Sequence, residues 1–254
     1  MMGWHRMIGR HGLWLAALLA NDLALAQALI NPVVVELGGR QRSAAVTVTL
    51  SSNASAPIRL QTEILRWTHD VQGAPMTEPS DDLLISPPIA DLQPGDKQVF
   101  RIAMRGARPA PEELAYRLIL EDVAEPATGT DSAPGMVIKF RMRYDLPVLV
   151  APVGAVVNVL RWKPCSAGVL SPSAKAEACI RLLNAGNRRV KVQTVTLISD
   201  NWTQALSLKD GVNVLAGAER EWRVPLQAGQ TGTPRNVQIN TTRGEMLQAE
   251  AGGF

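Results

Sequence analysis

The residue types that could carry out chemistry are few in this sequence. A Ser-His-Asp or Cys-His device needs a histidine, and beyond the first 26 residues only His69 is present. It lies in Trp67-Thr68-His69-Asp70, where a predicted strand enters a polar loop. This setting favours an exposed loop histidine over a catalytic one.

Paired acidic residues occur in three places, but none predicts a carboxylate pair that converges on a substrate. Asp81-Asp82 and Glu112-Glu113 lie in polar, loop-like surroundings. Glu121-Asp122 lies on a predicted strand, where neighbouring side chains point to opposite faces. The sequence also lacks a glycine-rich phosphate loop, an HExxH motif and a CxxC motif. We therefore expect a protein that is not an enzyme and that holds no cofactor or metal, with an enzyme as the second class of hypothesis.

The two cysteines, Cys165 and Cys179, are 14 positions apart. In an exported chain two cysteines of one domain most simply form a disulfide. A metal site is disfavoured because only one histidine follows residue 26. A disulfide that closes a loop of this length would stabilise the fold by about 3 kcal/mol, because it lowers the entropy of the unfolded chain.

The first 26 residues have the pattern of a secretory signal peptide. Basic residues precede a short apolar run over 13–20, and Ala24-Leu25-Ala26 offers the pattern of small residues after which signal peptidase cleaves. The apolar run is shorter than the roughly 20 residues that span a bilayer, although a membrane anchor or a buried first helix are the alternatives. Cleavage after Ala26 lowers the net charge from +3 to +2, which is too small and diffuse for a nucleic-acid surface.

The rest of the sequence predicts an all-β protein. Valine, threonine and leucine recur in short alternating runs, and 17 prolines and 20 glycines separate them. The segment Ala151-Pro152-Val153-Gly154 has the composition of a hinge. We expect two β-sandwich domains, over 27–151 and 152–254, with little helix. Predicted strands cover 46–50, 58–67, 83–85, 99–104, 116–120, 136–150, 178–183, 190–198, 222–226 and 237–240, and residues 70–82 are expected to form a loop.

The strand predicted from Met136 onward is the most informative element. Alternation places Ile138, Phe140, Met142, Tyr144 and Leu146 on one face and mostly charged residues on the other. Such a strand can be an ordinary sandwich strand with its apolar face inward. It can also be an exposed edge that serves as a template for a strand of another chain.

Several segments, in this order, resemble periplasmic pilus chaperones of the chaperone–usher pathway. Three segments of this sequence resemble the middle of the first domain of that family. They are Ser86-Pro87-Pro88-Ile89, Leu92-Gln93-Pro94-Gly95 and Gln98-Val99-Phe100-Arg101-Ile102. Two further segments resemble the last two strands of that first domain. They are Tyr116-Arg117-Leu118 and Arg143-Tyr144-Asp145-Leu146-Pro147-Val148. These last patterns are most similar to the archaic branch, which serves spore-coat-U-type pili.

The resemblance implies two immunoglobulin-like domains in an L-shaped arrangement. Such a chaperone works in the periplasm without a cofactor, lends a strand to pilus subunits by donor-strand complementation, and delivers them to an outer-membrane usher. On matching positions the lent residues are Ile138, Phe140, Met142 and Tyr144. The resemblance also implies a cis bond at Pro87. Whether the free chaperone is monomeric or self-associates stays open.

Family members anchor the terminal carboxylate of the subunit with basic residues in the cleft between domains, and here this sequence departs from the pattern. Its first strand reads Pro32-Val33-Val34-Val35, without arginine, and the position of the last-strand lysine falls near Pro147. The candidate anchors are Arg117, Arg101 and Arg143, since arginine binds a carboxylate bidentately. The alternatives are solvated strand arginines and, for the whole chain, a pilus or adhesin subunit or a generic ligand-binding sandwich.

Overall fold

The structure is a computed structural model, and it describes residues 28–38, 41–106, 110–124, 141–165 and 176–254. Within these ranges the secondary structure consists of β-strands without any helix. The strands up to the predicted hinge are β1 (Ala28–Asn31), β2 (Val35–Leu37), β3 (Ser43–Leu50), β4 (Ile58–His69), β5 (Pro75–Pro79), β6 (Leu83–Ser86), β7 (Ile89–Leu92), β8 (Lys97–Met104), β9 (Leu114–Asp122) and β10 (Arg143–Val150). Those beyond it are β11 (Leu160–Pro164), β12 (Glu177–Asn184), β13 (Val190–Ile198), β14 (Thr203–Val214), β15 (Glu219–Pro225), β16 (Asn236–Thr241) and β17 (Met246–Ala251).

The first ten strands form a sandwich of two sheets. One sheet has the order β1-β3-β8-β6, and the other has the order β2-β10-β9-β4-β5, with β7 pairing with β4. Alternate residues of each strand face the space between the sheets, as in β4, whose first seven residues alternate between buried and exposed. The large side chains there are fully buried, including Leu60, Phe100, Tyr116 and Leu118. This core fixes which side chains of β9 and β10 point inward.

The last seven strands form the second sandwich. Their order is β14-β13-β16-β17-β11-β12-β15, and β17 joins the two layers by pairing in parallel with β11. Three tryptophans, Trp162, Trp202 and Trp222, are buried in its core beside aliphatic residues of β12, β13 and β16. The expectation of an all-β protein made of two sandwiches is therefore confirmed.

The predicted disulfide joins the start and the end of a segment between neighbouring strands. Cys165 and Cys179 are bonded, with their Cα atoms 5.1 Å apart. The amide of Cys165 donates to the carbonyl of Cys179 at 3.1 Å, so the bridge continues the pairing of β11 with β12. It lies wholly within the second sandwich.

Other sequence expectations need adjustment or lie outside the described residues. The loop expected over 70–82 contains β5, which pairs with the end of β4. The predicted signal peptide over 1–26 and two of the residues expected on a lent strand, Ile138 and Phe140, fall outside the described residues. The Ser86–Pro87 peptide bond is cis, as expected, and so is Asn31–Pro32, for which no expectation was stated. In the described part of the chain there is no helix long and apolar enough to cross a membrane.

Candidate functional site

Strand β10 has one edge that is only partly paired. Its whole length pairs antiparallel with β9. On the other side, the short strand β2 pairs in parallel with residues 148–150 only. Residues 143–147 therefore have no second strand beside them among the described residues, and we call this side of residues 143–147 the free edge.

The polar groups of the free edge point outward in a regular pattern. The amide of Asp122 donates to the carbonyl of Met142 at 2.9 Å, so the even-numbered residues of this segment hydrogen-bond to β9. In an antiparallel pair the intervening residues turn their N–H and C=O groups the other way. Arg143 and Asp145 thus turn their backbone donors and acceptors toward the free edge, and Pro147, which has no N–H, ends the row of donors where β2 begins.

The apolar side chains of the same segment become more exposed with distance from the core. Leu146 is 7% exposed and belongs to the first core, Tyr144 packs partly buried against its margin, and Met142 is 41% exposed. Burial raises the pKa of Tyr144, which agrees with a phenol at the core margin. Met142 and Tyr144 also line a small cavity between the two sheets, together with Ala28 and Leu60. The exposure of this face therefore rises from Leu146 to Met142, which lies at the open margin of the sandwich.

The outer face of the β9–β10 pair carries Arg117. Its guanidinium lies 3.7 Å from the ring centroid of Trp67 and 3.4 Å from the carboxylate of Asp145. Burial lowers the pKa of Arg117, and the charge of Asp145 opposes that effect. Beneath it, Trp67 packs with Leu149 of β10 and with Leu215 of the second sandwich, in a cluster that forms the floor of the cleft between the domains.

The other two candidate anchors differ in position. Arg143 pairs with Glu121 of β9 at 3.4 Å, and both side chains are largely exposed. Arg101 lies on β8, in the opposite sheet of the first sandwich, with an exposed side chain. The structure therefore brings Arg117 and Arg143 onto one face and places Arg101 elsewhere. Both residues on that face already have an acidic partner.

A larger cavity, of about 770 Å³, lies between the domains at the start of β2. Val34 and Glu36 line it from the first domain, and Lys191 and Arg243 line it from the second. Neither Lys191 nor Arg243 makes a salt bridge among the described residues. The cavity has four cationic side chains and two carboxylates in its lining, so it is electropositive. The full lining is Val34, Glu36, Val156, Asn158, Arg188, Arg189, Val190, Lys191, Thr241, Thr242, Arg243, Glu245 and Leu247.

An ionic cluster at the edge of this cavity connects the two domains. The carboxylate of Glu113, 2% exposed, lies 2.6 Å from Arg189 and 3.5 Å from Arg188. Glu36 of β2 pairs with the same two arginines. The hydrogen bond from Arg189 lowers the pKa of Glu36, whereas burial raises the pKa of Glu113 against the attraction of Arg189. Glu113 was expected in a polar loop, but it is buried because the second domain covers it.

Lys191 and Arg243 were not singled out by sequence reasoning. Three basic residues in the four positions from Arg188 to Lys191 are a signal that could have drawn attention to this turn. No comparable signal marks Arg243, which the β16–β17 turn brings to the same cavity. Elsewhere, Cys165, Cys179 and Glu221 come together as potential metal ligands, but the two sulfurs are bonded to each other.

Comparison with known families and structures gives a consistent result. The family described as pili and flagellar-assembly chaperone, PapD N-terminal domain, matches residues 29–155. A chain of the CsuC–CsuE chaperone–tip adhesion subunit pre-assembly complex, from archaic chaperone–usher Csu pili of Acinetobacter baumannii, is 16% identical with a TM-score of 0.63, covering 90% of this chain and 100% of that one. The class 5 fimbriae chaperone CfaA is 14% identical with a TM-score of 0.57, covering 87% and 98%. The E. coli chaperone DraB is 16% identical with a TM-score of 0.53, covering 89% and 96%. No curated protein matched the sequence.

Proposed function

The chain belongs to the family of pili and flagellar-assembly chaperones, and we propose that it is a periplasmic chaperone of the archaic chaperone–usher branch. It binds pilus subunits, stabilises them by donor-strand complementation, and delivers them to an outer-membrane usher. The strand that it lends begins before β10 and includes Ile138, Phe140, Met142 and Tyr144. The domains divide between residues 151 and 152, and the chaperone uses neither a catalytic site nor a cofactor.

The observation that carries this proposal is the free edge of β10, whose apolar side chains become more exposed from Leu146 to Met142. An incoming strand needs unpaired backbone groups, which Arg143 and Asp145 provide. It also needs side chains that fill the gap in its own core, which Met142 offers because it is partly exposed at the margin of the chaperone's sandwich. The other edge of this sheet, β5, has Pro75 and Pro79 at its two ends, and proline discourages strand addition. This contrast favours β10 as the template.

The electropositive cavity supports a direction for the added strand. A strand on the free edge lies in line with β2, which runs parallel to β10. If it also runs parallel, its carboxyl end arrives where β2 begins, at the cavity lined by Val34, Lys191 and Arg243. Cationic side chains favour a carboxylate over an amino terminus there. We therefore propose Lys191 and Arg243 as the carboxylate anchor. Arg117 and Arg143, the candidates from the sequence analysis, lie on the adjoining outer face of β9 and β10.

A single proline substitution tests whether the free edge binds the subunit. In Arg143→Pro, the only backbone group lost is an N–H that points outward, because the N–H of residue 143 does not face β9. Pro147 already occupies the equivalent outward position in the same strand. We expect the variant to remain folded and to lose capture of co-expressed pilus subunits in a pull-down. Arg143→Ala is the matched control, since it removes the same side chain and ion pair but keeps the N–H.

The outcomes separate the proposal from its alternatives. Retained capture by folded Arg143→Pro would mean that β10 is an ordinary sandwich strand and that subunits bind elsewhere. Equal loss in both variants would assign binding to the arginine side chain instead of the backbone edge. A pilus subunit, the main alternative, would be captured by a known chaperone and would not itself capture other subunits.

A further inference from the structure

His69, at the end of β4, makes a hydrogen bond across the domain interface. Its Nε2 accepts the backbone N–H of Leu215 at 3.2 Å. Its Nδ1 lies 2.9 Å from the carbonyl oxygen of Asp70. A carbonyl only accepts, so Nδ1 carries the proton, and Nε2 must be unprotonated to accept from Leu215. The two contacts are therefore both satisfied only by the neutral ring with its proton on Nδ1.

The partner of His69 belongs to the apolar floor of the cleft. Leu215 is buried against Trp67, Ala115 and Leu149 of the first domain. It lies in the turn between β14 and β15, which lines a cavity of about 300 Å³ with residues from β4 and from the start of β9. The position of this turn therefore determines how the second domain sits on Trp67.

We propose that His69 makes the domain interface sensitive to pH. Histidine is the side chain whose protonation normally changes between about pH 5 and 8. Protonation places a second hydrogen on Nε2, so that two donors, Nε2–H and the N–H of Leu215, face each other. The ring then has to withdraw from Leu215, and the β14–β15 turn loses a fixed contact with the first domain. This inference concerns the interface alone and does not depend on the proposed function.

Several charged groups lie near His69. Asp70 follows it in the chain, and its carboxylate attracts Arg220 of β15. The guanidinium of Arg220 fits against Gly73, where a Cβ would come within 2.1 Å of it. Glu112 and Glu113, which precede β9, and Arg66 of β4 line the cavity beside Leu215. Glu113 is paired with Arg188 and Arg189, and Arg66 is paired with Asp82.

Amide hydrogen exchange of Leu215 in the full chain tests the proposal. The protection factor, which corrects for the intrinsic effect of pH, is compared at pH 7.5 and pH 5.5. For the unmodified protein we expect a loss of about fivefold or more at pH 5.5, the equivalent of one hydrogen bond. His69→Gln keeps an acceptor near the position of Nε2 but does not titrate, so its protection should stay constant. His69→Ala should be weakly protected at both pH values.

Two results would overturn the proposal. One is an unmodified protein whose Leu215 protection does not change between the two pH values. The other is a His69→Gln variant with the same pH dependence as the unmodified protein. Should the variants fail to fold, ¹⁵N chemical shifts of the His69 ring decide: a neutral ring with its proton on Nε2 would contradict the geometry, and one with its proton on Nδ1 would support it.

Discussion

Lys191 and Arg243 differ from the other basic residues of the cleft in their pairing. Arg117 and Arg143 lie beside Asp145 and Glu121, so a new carboxylate would have to compete with an existing acidic partner. Lys191 and Arg243 make no salt bridge among the described residues, although the charge of Arg243 does act on Glu36. An incoming carboxylate would therefore reduce the repulsion between these cations and would displace no partner.

Neutralising both residues should weaken subunit binding. We expect Lys191→Gln with Arg243→Gln to raise the Kd for a pilus subunit about tenfold, or roughly 1.4 kcal/mol, and to reduce its salt dependence. Titration at low and at high salt measures both effects. The control is Lys97→Gln with Arg101→Gln, which makes the same change of charge on the opposite sheet. An equal loss of affinity in the control would remove the cavity from the binding site and would restore Arg101 as a candidate.

At the residue scale, the sequence predicted those features that are determined by residues close together in the chain. Alternation placed Met142 and Tyr144 on one face, and the presence of two cysteines in one domain of an exported chain indicated the disulfide. The roles of His69 and Glu113 could not be read in this way, because their partners, Leu215 and Arg189, lie more than 70 positions away. A polar residue in a predicted loop looks solvated until a second domain covers it.

At the element scale, many strands with clean alternation were predicted, whereas short strands such as β11, the irregular β14 and the exposed β5 were missed. The Pro94-Gly95 turn is present, with Asp96 donating to Gln93 and Gly95 at a φ of 92°. Strand β14 was missed because Asp210-Gly211 has the composition of a turn. Both residues do have positive φ, yet the chain continues as a strand through a shift in register against β13. Strand β5 was missed because it is exposed at every position and so has no apolar pattern.

The disulfide should stabilise one domain selectively. Replacing Cys165 and Cys179 with serine should lower the free energy of unfolding of the second domain by about 3 kcal/mol, because the bridge restricts the unfolded chain. The first domain lies outside the bridged segment, so its midpoint should shift less in urea unfolding followed by domain-specific hydrogen exchange. Reduction of the unmodified protein serves as the control and should reproduce the shift. A shift of the same size in the first domain would show that the domains unfold as one unit.

At the scale of the whole molecule, two sandwiches of similar construction are joined by a small set of contacts. Trp67 packs on Leu215, and the backbone amide of Glu113 donates to the carbonyl of Asn187 at 2.8 Å. The turn that carries Asn187 is itself rigid, because the fully buried Asn184 donates to two carbonyls and accepts from the amide of Gly186. This turn brings Arg188 and Arg189 to the first domain in a fixed position.

The ionic cluster should therefore couple the unfolding of the two domains. In Arg189→Ala, the buried Glu113 loses its nearest cation and keeps the more distant Arg188 and the backbone N–H of residue 189, which should cost about 3 kcal/mol of interface stability. Glu113→Gln combined with Arg189→Ala should cost less than the sum of the single changes, because neither charge is then left without its partner. Calorimetry should show the transitions of the two domains lying further apart in Arg189→Ala than in the unmodified protein. Arg235→Ala, which breaks an exposed pair with Asp200, is the control and should change the stability by at most about 1 kcal/mol. Additive effects in the double variant would show that Glu113 and Arg189 act independently, and the orientation of the domains would then rest on the apolar floor alone.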